Sequence, residues 1–133
     1  MIFLCDYYNQ ASKDLAYSLQ AAGYDATTVV INPDGFLPQG ALSPFTYYVE
    51  AAEETGKPRF FNQVPVPAFW EISGNNQMAR VSNLTEDRAR ITYPEGSKAR
   101  IVKSVEWLAK SGKIRQVDHY NKYGFCFAKT THD

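Results

Sequence analysis

RIVKSVEWL, Arg100 to Leu108, fits two secondary structures, and the choice between them sets the fold. As a strand it puts Ile101, Lys103, Val105 and Trp107 on one face and Arg100, Val102, Ser104, Glu106 and Leu108 on the other. As a helix its apolar positions overlap an amphipathic period, so the segment alone does not decide. Its flanks decide for the strand. KSGK, Lys110 to Lys113, leads straight into IRQVDHY, Ile114 to Tyr120, and NKYG, Asn121 to Gly124, leads into FCFAK, Phe125 to Lys129. Upstream, SGNNQ turns the chain into MARVSN, Met78 to Asn83, and RARITY, Arg88 to Tyr93, is followed by the turn PEGSK. Strands at regular spacing, separated by glycine-containing turns, read as an antiparallel meander.

Immediately before the meander stands RFFNQVPVPAFWEI, Arg59 to Ile72. RFF and FWEI read as strand ends, but Pro65 and Pro67 cannot donate to a ladder and hold the chain extended between them. The segment is therefore expected to be an ordered, polyproline-like connector. Phe60, Phe61, Phe69 and Trp70 give it a large apolar payload, and Asn62 and Gln63 add amide hydrogen-bonding groups. A connector pinned by aromatic anchors is the plainer reading. A recognition surface, where aromatics and amides work together, is compatible with it.

The first third alternates strand and helix. IFLC, Ile2 to Cys5, reads as a buried strand, and in NQASKDLAYSLQAAG the residues Ala11, Leu15, Leu19 and Ala22 fall near helical spacing before Gly23 stops the helix. TTVVI, Thr27 to Ile31, reads as a second buried strand closed by the turn NPDG, Asn32 to Gly35. Ser43 and Pro44 make a cap-then-first-turn signature for a second helix, with Phe45, Tyr48, Val49 and Ala52 on one face and a stop at Gly56. The fold class is α+β. Residues 1–58 are expected to form a strand-helix-strand-helix unit, 59–77 the connector, and 78–133 an antiparallel sheet domain. The chain ends at TTHD, just past the last strand, so the sheet edge is expected to be covered by a partner or by further chain.

Composition narrows the function classes. A chain of 133 residues with 44% hydrophobic content suffices for a real core, and zero formal net charge gives no field that would gather nucleic acid or an anionic membrane. Aromatic and basic residues interleave in KIRQVDHYNKYGFCFAK, but without a basic cluster this reads as a solvated sheet face. Cys5 and Cys126 have no metal-ligand spacing and read as buried thiols in a reducing cytoplasm. The opening MIFLCDYYNQ lacks a basic leader and is too short to span a membrane.

Catalytic constellations are missing. There is no glycine-rich phosphate loop, NPDG and YPEG are turns, and no metal or cofactor is expected. His119 and Asp118 are neighbours in a strand and so point to opposite faces. Asp6 follows the first strand, where α/β folds often bind ligands, but a turn or helix-entry role for it is the plainer one.

Beyond these patterns, GFLPQGALSPFTYY, FFNQVPVPAFWEI, EDRARITY, RIVKSVEWL and DHYNKYGFCFAKT together resemble the N-terminal region of the accessory Sec system glycosylation chaperone. The resemblance covers nearly the whole chain. That family is the stabilising, non-catalytic partner of the bacterial glycosyltransferase that adds the first N-acetylglucosamine to serine-rich repeat adhesins. It implies a glycosyltransferase-like GT-B architecture with an extended β-sheet domain inserted in its N-terminal half. It also implies two partners, the catalytic glycosyltransferase subunit and the Ser/Thr-rich adhesin polypeptide, with no nucleic acid among them. A cytoplasmic location follows, compatible with peripheral association of the whole complex at the inner face of the membrane. The family's members are much longer, so this chain is expected to stop inside the sheet domain and to be incapable of transfer by itself. Candidate partner or acceptor contacts are Gln63, Phe69 and Trp70 in the connector, and Tyr93, Trp107, Tyr120 and Tyr123 wherever their strand faces are open. The competing readings are a glycosyltransferase subunit that binds a UDP-sugar beside Asp6, and an unrelated α+β interaction domain.

Overall fold

A computed structural model of the chain describes residues 1–47 and 56–132, with the side chains of 46 and 47 left out. Its elements run β1 (Ile2–Cys5), α1 (Gln10–Ala21), β2 (Thr27–Val30), α2 (Pro44–Tyr47), a 3-10 turn (Phe61–Gln63), then β3 (Glu71–Gly74), β4 (Ala79–Ser82), β5 (Asp87–Thr92), β6 (Ser104–Leu108), β7 (Ile114–Tyr120) and β8 (Cys126–Thr131). β1 and β2 form a parallel pair, with Ile2 opposite Thr27. Parallel neighbours need a crossover, which α1 supplies. Asn9 caps α1 by accepting from the Ser12 backbone N–H at 3.0 Å, and the Ser12 hydroxyl accepts from the Asn9 N–H at 2.8 Å. The helix that begins as α2 was expected to run on past Tyr47, but Tyr48, Val49 and Ala52 lie outside the described residues.

The α/β part has the expected elements and less burial than expected. Ile2 and Leu4 are exposed, as is Leu15 on α1, whose one buried residue is Ser12. Apolar runs report strand formation, and they report burial only where another layer packs on them. Cys5 and Cys126 are correspondingly half-buried rather than buried, both free, with burial pushing both thiols up from their ordinary range.

The meander runs in chain order, β3-β4-β5-β6-β7-β8, antiparallel throughout. Reading across the register, one row on its inner face runs Ile72, Val81, Ala89, Trp107, Gln116, Thr131, and the next runs Gly74, Ala79, Ile91, Val105, Asp118, Lys129. Both rows are apolar through β6 and polar in β7 and β8. The connector lies over the apolar part. Val64 is buried and belongs to one cluster with Ala79, Val81, Ala89, Ile91 and Val105, against which Phe61, Val66, Trp70 and Trp107 pack. Val64 and Val66 thus face inward while Pro65 and Pro67 are exposed. The prolines hold an extended segment whose alternation works as a strand's does, without the ladder a strand would need.

Two expected strands are shorter than predicted for one shared reason. RFF is not a strand: Phe60 makes a single bridge with Ile101, after which Phe61–Gln63 turn. Arg100–Lys103 correspondingly leave the strand expected at 100–108, because Val102 N–H donates to Arg59 O at 2.8 Å and Phe61 N–H to Arg100 O at 2.9 Å. Arg100, at φ 58°, makes the bend. FWEI loses its first half as well, since Phe69 and Trp70 end a turn and the strand begins at Glu71.

The two parts of the chain meet at the β7–β8 hairpin. Gly35 of the NPDG turn pairs with Asn121, the Lys122 N–H donates to Gly35 O at 3.0 Å, and the Lys122 ammonium reaches Leu37 O at 3.4 Å. Asn121 is buried and its side-chain oxygen accepts from the N–H groups of Tyr123 and Phe125, so the hairpin tip is rigid where the turn lands. The Arg59 guanidinium ties the connector to the same hairpin, donating to Gly124 O at 2.9 Å and lying over the Tyr120 ring at 5.6 Å.

Candidate functional site

An open groove of about 330 Å³ lies at the end of the sheet where β6 stops and β7 starts. Pro67 and Trp70 of the connector form one wall and Trp107 and Leu108 of β6 the other, with Gln116 and Asp118 of β7 on the floor. Arg88 and Arg115 stand at its rim. Register explains the floor. Trp107 is opposite Gln116, and Val105 opposite Asp118, so both polar side chains share the inner face with the tryptophan. The Trp107 indole N–H donates to one Asp118 oxygen at 2.9 Å and the Gln116 amide to the other at 2.7 Å. The carboxylate is thus satisfied by neutral donors and fixes the indole edge, and of the two arginines Arg88 pairs with Glu86 at 3.3 Å. No salt bridge involves Arg115 among the described residues. The groove brings together aromatic faces, an anchored amide and carboxylate, and the exposed Arg115.

The expected contact residues divide between this end of the sheet and the core. Trp70 and Trp107 meet in the groove, and Phe69 stands beside it, 89% exposed. Gln63 is exposed, but its side-chain oxygen accepts from the Phe60 N–H at 3.0 Å and closes its own turn. Tyr93 and Tyr120 do not face an opening: both are buried in the core cluster, Tyr93 donating its hydroxyl to Asn75 O at 2.8 Å, and burial raises the pKa of each. Their strands contribute these rings to the covered face, which corrects their place among the contact residues. Tyr123 is half-buried at the hairpin tip, with the Lys122 ammonium 5.6 Å from its ring. Gln116, Asp118, Arg88 and Arg115 were not singled out from sequence. The alternation of Gln116 and Asp118 was legible, but only the register sets them beside Trp107.

His119 lies on the opposite face from Asp118, as alternation requires, and its Nε2 is 2.8 Å from the Thr130 hydroxyl, with the Phe127 ring centroid at 6.4 Å. Burial lowers its pKa from 6.5, Asp118 opposing and Lys103 reinforcing the shift. The unfolded chain therefore binds this proton more readily than the folded one, so stability should hold at neutral pH and fall as the pH drops through about 6.5 and below. Urea midpoints measured from pH 7.5 to 5 check this, and His119→Gln should flatten that part of the profile. Asp6 is exposed, and its backbone carbonyl accepts from the Asn32 N–H at 3.0 Å and side chain at 2.9 Å, the turn role expected for it. No group of three His, Cys, Asp or Glu side chains that could hold a metal occurs among the described residues, and no helix there is long and apolar enough to cross a membrane.

Comparisons with known proteins bear on both parts of the fold. The model of the GtfB N-terminal domain matches residues 2–48 and that of the GtfB middle domain residues 70–133. The UDP-N-acetylglucosamine–peptide N-acetylglucosaminyltransferase stabilizing protein GtfB of Streptococcus gordonii is 54% identical over 99% of this chain. Its namesake in Limosilactobacillus reuteri is 38% identical over 98%. This chain spans about 29% of the length of these relatives. A crystal structure of a GtfA/B complex bound to UDP and GlcNAc contains a chain 53% identical to this one, superposing with a TM-score of 0.81 over 100% of this chain and 30% of its own. The glycosylation-associated Gap123 complex of Streptococcus agalactiae shares the fold, with a TM-score of 0.60 at 13% identity over 100% of this chain and 32% of its own.

Proposed function

This chain belongs to the GtfB family, and from that premise we propose that it serves as a stabilising, non-catalytic subunit of a peptide N-acetylglucosaminyltransferase. It docks on the catalytic subunit and helps hold the Ser/Thr-rich polypeptide that is glycosylated. The observation that carries this reading is the 54% identity, over 99% of the chain, to a protein named for stabilising such an enzyme. The groove of Trp70, Trp107, Gln116 and Asp118 supports it, because its parts suit an extended acceptor. The α/β part and sheet then correspond to the start of a GT-B architecture with an inserted β-sheet domain, working in the cytoplasm.

Stabilisation is tested on the catalytic subunit. Its thermal midpoint should rise when this chain is added in excess, since a ligand that binds only the native state must raise it. An unchanged midpoint at saturating chain concentration contradicts the reading. UDP-N-acetylglucosamine added to this chain alone should leave the chain's own melting unchanged, whereas a shift would favour a sugar-nucleotide-binding subunit.

A further inference from the structure

We draw no further inference here: the strongest candidate, the cleft of about 380 Å³ between the α/β part and the sheet, sets Lys13 and Lys103 among the carboxylates of Asp34 and Glu95, a balance that selects no one ligand, and nothing in the structure shows what fills it in a chain that spans about 29% of its relatives' length.

Discussion

Replacing Val64 with aspartate should lower folding stability by about 4 kcal/mol, the order of cost for an unpaired carboxylate forced into an apolar interior. Val64 is 4% exposed and belongs to the cluster that includes Val81, Ala89, Ile91 and Val105. No cationic side chain belongs to that cluster, so the new charge has no partner there. The neighbouring Pro65→Ala changes an exposed residue and should cost no more than about 1 kcal/mol, through the freedom it returns to the unfolded chain. Urea unfolding followed by tryptophan fluorescence distinguishes the two. The contrast tests the roof directly: similar small losses at both positions would mean the connector does not close the core.

Gly35→Val should cost about 3 kcal/mol and weaken the join between the α/β part and the sheet. A Cβ at Gly35 would lie 2.4 Å from the Asn121 Cα and 2.5 Å from the Tyr120 carbonyl oxygen. Both are backbone atoms of a hairpin fixed by the Asn121 side chain, so neither can give way cheaply, and overpacking of this kind costs about 1–3 kcal/mol or more. Relief comes most readily by undocking the turn, which would break the Lys122 N–H to Gly35 O bond. Limited proteolysis should then cut faster between the two parts, and the unfolding transition should broaden. Gly40→Val is the control. Its φ of 93° carries strain, but nothing lies within 4 Å of its Cβ, so stability falls without faster cleavage at the join. Undiminished stability in Gly35→Val would place the turn away from the hairpin.

Much of this fold was legible because β-strands announce themselves by period and glycine-containing turns. Five of the six meander strands were located from sequence, including the ambiguous Arg100–Leu108 segment, whose strand portion is Ser104–Leu108, while β3, Glu71–Gly74, was read two residues early as FWEI and assigned to the connector. Of the lost residues, Arg100–Val102 pair with Arg59–Phe61 instead, a choice between distant partners that local pattern does not encode. Burial was less legible. Ile2 and Leu4 sit in an apolar strand yet stay exposed, because period does not say whether a layer lies above. Tyr93 and Tyr120 illustrate the converse: their types suit a surface contact, and the register turns them into the core. For the groove, composition pointed to Trp70 and Trp107. The carboxylate that fixes Trp107 became visible only when β6 and β7 were paired, since Asp118 is eleven residues away in sequence and adjacent across the sheet.

Association with the catalytic glycosyltransferase is the central claim, and multi-angle light scattering on a sizing column measures it most directly. The chain and the catalytic subunit from the same source, mixed near equal concentration, should elute together at a mass equal to a whole-number combination of the two. Two separate peaks at the masses of the isolated proteins, from a chain that is folded by its circular dichroism, would contradict the account.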